Sequence, residues 1–454
     1  MTTEGRSGCL DAFIVALNQV CEGRWYASTL ELQLVSLALC GTCRSVPTLH
    51  VRVNRQRPPR VWSLRKPHTT HNQSSSEVCI LSRVPAIEPF KLTLALPMEF
   101  LQQSSALELR SASECGQLTE PSSAASLGSV VWPRRLTWLV YDSNTPVNKA
   151  SWPASLRHLS FGSAFNQPIA GTVWPASLQQ LMFGYAFNQP IAETVWPASL
   201  QQLAFGYAFN KPIANVEWPA SLQRLSFGSA FNWPIAEVKW SASLQQLIFG
   251  ASFNQPIAEV KWPASLQHLL FGGQFNQPIA EVVWPASLQH LLFGDQFNQP
   301  ITEVVWPASL QQLTFGAAFN QPIVETVWPT ALQLLFFRGS FNQPIAEVKW
   351  PASLQHLLFG DQFNQPIAET VWPASLQQLA FGYAFNQPIV GTVWPTALQQ
   401  LCFRGSFNQS IVGVVWPPSL KYLSLGKKFN QPIDGVVWPA LLRLLIGGRH
   451  IRLL

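Results

Sequence analysis

Apolar and polar residues follow one pattern along most of this chain, and the pattern returns every 22 residues. Tryptophan marks the period at 152, 174, 196, 218, 240, 262, 284, 306, 328, 350, 372, 394, 416 and 438, with no insertion between copies. A representative unit, Trp196 to Glu217, reads WPASLQQLAFGYAFNKPIANVE. Counted from its Trp, apolar residues fall at positions 1, 5, 8, 10, 14 and 18, with Val usually at 21 or 22. The Leu at 8 and the Phe at 10 alternate with outward residues, as in a strand with one face buried. Gly at 11 ends that segment, while Pro at 2 and 17 blocks ladder pairing around it. One short strand and no room for a long helix leave each unit unable to bury its own apolar face. Stacking solves that problem. The pattern therefore predicts a mainly β repeat solenoid with one short parallel strand per unit, for example Leu181–Phe183, Leu269–Phe271 and Leu379–Phe381. Helix is expected to be scarce.

A diverged unit two residues shorter starts at Trp132, which gives about fifteen repeats over residues 126–454. Residues 1–125 show no such period and read as an undefined, partly disordered N-terminal segment, with a possible cap for the array near 90–120. Within it, Arg52 to Lys66 carries six basic residues and no acid, and HTTHNQSSSE reads as a flexible loop. At the far end the unit at Trp438 is cut short. Its closing LLRLLIGGRHIRLL predicts a partly protected edge open to self-association.

Composition changes this picture little. Charged residues are only 11%, and the net charge of +6 is modest for 454 residues, so a nucleic-acid partner is not expected. Six of the seven cysteines (Cys9, Cys21, Cys40, Cys43, Cys79 and Cys115) precede the array, and Cys402 lies in it. An odd count without a secretory signal predicts reduced thiols and a cytoplasmic setting. No apolar run is long enough to span a bilayer, so no membrane partner is expected.

One polar position is as constant as the apolar ones. Asn occupies position 15 at Asn166, Asn188, Asn210, Asn232, Asn254, Asn276, Asn298, Asn320, Asn342, Asn364, Asn386, Asn408 and Asn430. Stacking turns these into a buried column of amides, expected to be structural through hydrogen bonds to backbone groups of the turn. Asn408-Gln-Ser is formally a glycosylation sequon, but a buried amide leaves no room for a glycan.

The run LxFGxxFNQPI followed by Pro-Ala-Ser-Leu resembles the FNIP repeat, a relative of the leucine-rich repeat. The resemblance covers about 320 residues, and Trp-Pro stands where that family more often has Leu-Pro. It implies a curved, leucine-rich-repeat-like solenoid with a strand-lined face and a role in protein interaction. Some relatives join their repeats to an F-box or another effector domain; residues 1–125 contain no such motif.

Variation between copies locates candidate binding residues. It concentrates at positions 7, 9 and 11–13, and period-two geometry turns 7, 9 and 11 away from the core. Position 7 carries His158, Arg224, His268, His290, Leu334, His356 and Tyr422 in place of Gln. The strand exit carries Tyr185, Tyr207, Asp295, Arg338, Asp361, Tyr383 and Arg404 among small residues. These residues suit an open face that binds a protein partner. The units from Trp284 and from Trp350 nevertheless match nearly residue for residue at a spacing of 66, so His290/His356, Asp295/Asp361 and Arg338/Arg404 also fit drift after tandem duplication. Both readings stay open at this stage.

Other chemistry finds less support. His268 and His290 share a column on adjacent rungs with Asp295 in the next segment, but His in an exposed column needs no metal. Cys40-Gly-Thr-Cys43 and His68-Thr-Thr-His71 depart from zinc-finger spacing, so neither a metal nor a cofactor is expected. Glu at position 20 recurs from Glu237 through Glu259, Glu281, Glu303, Glu325 and Glu347 to Glu369 and reads as a solvated stripe. No phosphate loop, nucleophile elbow or His-Glu-x-x-His sequence is present, and no enzyme is expected. The sequence thus points to a non-catalytic interaction scaffold, with a passive or self-associating repeat protein as the other reading.

Overall fold

The structure, a computed structural model, describes residues 132 and 134–443 and the backbone of strands at 48–53, 78–82, 106–110, 444–447 and 450–453. The HTTHNQSSSE loop, the Cys40–Cys43 and His68–His71 pairs and the disorder expected before residue 126 lie outside these residues. From Trp132 on, the chain is one parallel β-solenoid, with a strand in every unit and no helix among the described residues. After β1 (Thr48–Val53), β2 (Val78–Ser82) and β3 (Ala106–Arg110) come β4 (Trp138–Asp142) and β5 (His158–Phe161). Twelve more strands run from Gln180–Met182 to Tyr422–Gly426, labelled β6 to β17, before β18 (Leu444–Gly447) and β19 (His450–Leu453). From β5 to β18 each pairs in parallel with the next at an offset of 22 residues, as His268 does with His290 and Leu269 with Leu291. Upstream, β3 pairs with β4, β1 with β3 and β2 with β1, all in parallel. The sheet closes differently at its other end, where β19 turns back antiparallel on β18.

The strands are as short as the Leu-x-Phe segments expected but begin one residue earlier. Most span only positions 7 to 9, and the Phe at 10 lies just beyond them. Leu at 5 and 8, Phe at 10 and 14 and Ile at 18 are buried in one continuous core. Phe at 10 and 14 stack within a unit at 4.1 Å and between units at about 6 Å, as Phe293, Phe297, Phe315 and Phe319 show. The Trp column repeats at 6.2–6.5 Å, edge-on to the Phe at 10. Burial of these rings is the main driving force for stacking. It has a cost: the indole N–H groups from Trp152 to Trp416 are buried without an acceptor.

Val at 21 and Val at 22, grouped together in the sequence pattern, separate in space. Val216, Val238 and Val304 at 21 are buried, whereas the valines at 22 are exposed to 77–83%. Position 22 also accepts Glu217, Lys239, Lys261 and Lys349, which fits an outward direction.

Polar ladders complete the stack. The Oδ1 of each position-15 Asn accepts the backbone N–H of the Asn in the following unit, from Asn144 to Asn430, at 2.8–3.1 Å. The side-chain amide of the next Gln often donates to the same Asn, as Gln299 does to Asn276. These bonds run between units and not within one turn. The column is also not buried: most members are half-buried, and Asn210, Asn232 and Asn430 are exposed. The correction has a simple cause, since an amide bridging two turns lies at the rim of the core. It also removes burial as the reason against a glycan on Asn408, whose side chain is half-buried. A second ladder, which the sequence pattern did not reveal, comes from Ser at position 4. Ser287 Oγ donates to the Leu266 carbonyl at 2.7 Å, and Ser309 to Leu288 likewise.

Asn276→Ala leaves the Asn298 N–H without its acceptor and is expected to cost about 1–3 kcal/mol. Gln289→Ala removes a half-buried side chain one position before the strand and is expected to be nearly neutral. Denaturant melts of the two variants check the difference, and equal effects would mean that the Asn bonds contribute nothing.

Candidate interaction face

The strand at positions 7–9 presents two outward columns separated by the buried Leu at 8. In the position-7 column His158, His268, His290, Leu334 and His356 are half-buried, while Arg224 and Tyr422 are exposed. The side chains lie close enough along the column to touch. The rings of His268 and His290 sit 4.4 Å apart, tilted by 42°. At the strand exit, Tyr185 and Tyr207 stack face to face at 4.6 Å and are 59% and 52% exposed. Arg338, Asp361 and Tyr383 are exposed there as well, with Asp295 and Arg404 half-buried. Asp295 is five residues beyond His290, past the strand. Among the described residues no three His, Cys, Asp or Glu side chains converge on a point that could hold a metal ion.

Position 11 does not line the face with 7 and 9. Its glycines pack backbone against backbone: a Cβ on Gly206 would lie 1.8 Å from the Gly184 carbonyl oxygen, and one on Gly294 1.7 Å from that of Gly272. Arg338 and Arg404 stand at this position because the residue after each is a glycine, Gly339 at φ 43° and Gly405 at φ 46°. The Arg-Gly pair is one coupled change of turn, not a free surface substitution.

Position 9, which the sequence marks only as varied and outward, carries an apolar strip. Six successive rungs carry Ile248, Leu270, Leu292, Thr314, Phe336 and Leu358 there. All are partly exposed except Thr314, which is buried. Small or polar residues bound the strip, Ala204 and Ser226 before it and Ala380 and Cys402 after it. Its signal was available as apolar residues at an outward position, but it emerges only once copies are aligned as neighbours. Burial pushes the Cys402 thiol up, against the opposing effect of Arg404, so it stays protonated.

Burial holds the imidazoles of His268, His290 and His356 below their ordinary value of 6.5. The neighbouring His290 and Arg224 charges add to the effect at His268. Side-chain hydrogen bonds with Gln312 and Gln378 oppose it at His290 and His356. A depressed histidine favours the neutral form in the fold, so its contribution is complete above the ordinary value and is lost as pH falls below it. Unfolding midpoints in denaturant are expected to drop between pH 7.5 and 5.5. The triple change His268→Gln, His290→Gln and His356→Gln, which restores the usual residue at position 7, should reduce that drop. An unaltered pH profile would show that other groups set it.

Eight stretches of the chain, some of them overlapping, match the model of the FNIP Repeat: 144–186, 165–208, 187–230, 253–296, 297–340, 341–384, 385–428 and 407–442. Together they take in more than half of the 454 residues. The chain belongs to the FNIP repeat family. Among solved structures it is similar to CroV588, described as a novel circular LRR protein, with 36% identity and a TM-score of 0.53 over 77% of this chain and 64% of that one. The FNIP chain therefore spans less than two thirds of the length of that relative. An internalin, InlF from Listeria monocytogenes, matches at 14% identity and a TM-score of 0.45 over 62% of this chain and 82% of its own. No curated protein matches the chain. FNIP and leucine-rich-repeat solenoids are typically interaction scaffolds, built around an extended surface rather than a pocket. Among the described residues no helix is long and apolar enough to cross a membrane.

Proposed function

We propose that this FNIP protein is a non-catalytic, cytoplasmic scaffold that takes a protein partner on the strand face between the units of Trp240 and Trp350. The observation that carries the reading is the position-9 strip, Ile248, Leu270, Leu292, Phe336 and Leu358, partly exposed on the outward side of short strands. A strand face that meets only water is ordinarily polar. Here an apolar line about five rungs long, roughly 24 Å at the usual strand spacing, is flanked by His268, His290, Gln312 and His356. Asp295, Arg338 and Asp361 lie beyond the strand exit on the other side. An apolar centre with a polar rim is the anatomy of a protein interface.

Leu270→Thr with Leu292→Thr tests this, because Thr314 shows that the position accepts threonine. Affinity capture with the tagged full chain is expected to retain a discrete protein that the double variant loses at an unchanged melting temperature. Capture of the same proteins by both chains would sink the reading.

A further inference from the structure

We propose that the C-terminal part of the array carries a second surface, a face of valines on which another copy of this chain docks about a two-fold axis. The face is built by positions 19 to 22 of the last complete units. Val371, Val393, Val415 and Val437 at position 22 are 78%, 79%, 81% and 83% exposed, and Val390 and Val412 at position 19 lie beside them, exposed to 48% and 46%. Their exposure follows from the local backbone. Position 21 turns inward to the core, which forces 20 and 22 outward. Among the described residues no backbone hydrogen bond joins positions 19–22 of one unit to the next, so the face offers side chains and not an open strand edge.

The same columns look different earlier in the array. There, position 22 is interrupted by Glu217, Lys239, Lys261 and Lys349, and position 20 is an exposed line of carboxylates from Glu237 to Glu369. After Glu369 the carboxylates stop, and position 20 becomes Gly391, Gly413 and Gly435, with φ of 80–86°. Val393 and Val415 therefore lose their charged border. A row of exposed apolar side chains of this kind marks a docking surface, and because a standard interface takes roughly 800 Å² per partner, neighbouring side chains of the same units complete it.

A second copy fits this face better than an unrelated partner for two reasons. First, each valine precedes a Trp of the stacked column, whose rings repeat at 6.3–6.4 Å here. An evenly spaced ridge is matched by an identical ridge, and a two-fold axis makes one patch meet itself. Second, the charges agree with one register. An antiparallel two-fold centred on Val393 sets Val371 opposite Val415 and Glu369 opposite Gly413. One unit further out, Glu347 faces Gly435, and the exposed Lys349 comes to the level of the exposed Asp434. Within the units of Trp350, Trp372 and Trp394 no carboxylate meets a carboxylate, and at the margin Asp434 comes to the level of one acid, Glu347, and one cation, Lys349. Centring the axis further toward the N-terminus would oppose two Glu columns.

Sedimentation of the full chain tests the proposal. The protein is expected to form a concentration-dependent dimer. Val393→Lys puts two like charges across the axis and should weaken the dimer by at least roughly a hundredfold. The fold accepts lysine at this position in three units (Lys239, Lys261 and Lys349), so the melting temperature should not move. Val195→Lys, in the N-terminal part of the same column, should leave the dimer intact. Lys349→Asp, which leaves Asp434 facing acids alone, should weaken it, and adding Asp434→Lys should restore it. A monomeric wild-type chain, or a dimer that survives Val393→Lys, overturns the proposal, and failure of the charge exchange overturns the register.

Discussion

Phe319→Ala is expected to cost about 3–5 kcal/mol, the largest effect of any single side chain considered. Phe319 has no exposed surface, lies 4.1 Å from Phe315 in its own unit and stacks at 6.1 Å on Phe297 before it and Phe341 after it. Removing the ring takes away its transfer free energy and leaves a cavity open to both neighbouring units. Those neighbours cannot collapse into it, because their strands and Asn ladders fix the distance between rungs. In a solenoid each interface is also a link in a chain, so a weakened link in the middle partly uncouples the two halves. Denaturant unfolding should show a lower midpoint and a broader or divided transition. Tyr383→Ala, on an exposed ring, should stay within about 0.5 kcal/mol of the wild type. Similar losses from both would mean that the Phe columns do not carry the stack.

Gly206→Arg is expected to destabilise by about 3 kcal/mol or more, even though arginine occupies the same unit position twice in this chain, at Arg338 and Arg404. Any Cβ at 206 would sit 1.8 Å from the Gly184 carbonyl oxygen and 2.4 Å from its carbon. Backbone of the preceding unit cannot yield as a flexible side chain would. Arg338 escapes because Gly339 takes a left-handed conformation, φ 43°, and so alters the turn. Adding Tyr207→Gly to Gly206→Arg reproduces that Arg-Gly pair. The double variant should recover most of the loss although Tyr207 also gives up its stacking on Tyr185. Thermal melts of the two single variants and the double one give the coupling directly. Additive losses would show that the turn exchange is not what admits Arg338.

The candidate faces were legible to different degrees. His268, His290, Tyr185 and Tyr207 could be marked as outward because other copies carry Gln or small residues there, and a position that accepts both is seldom core. The same comparison applied to position 22, where Val alternates with Lys and Glu, identifies the exposed valines. Hydrophobicity alone only grouped them with Val at 21. The position-9 strip was hidden for another reason. Ile248, Leu270 and Leu292 are apolar one by one, but only neighbouring rungs make them contiguous.

By itself the sequence determined the period, the strand in each unit, the parallel stack and the Phe and Leu columns. A strict 22-residue repeat with one half-buried strand has no other way to bury its apolar residues. Tertiary structure decided whatever depends on contact between units. It set the Asn amides at the rim as bridges from one turn to the next, closed position 11 of the 22-residue units to all but an Arg-Gly exchange, and separated Val at 21 from Val at 22. Spacing along a chain fixes which residues share a column, whereas the distance and angle between rungs fix what each column meets.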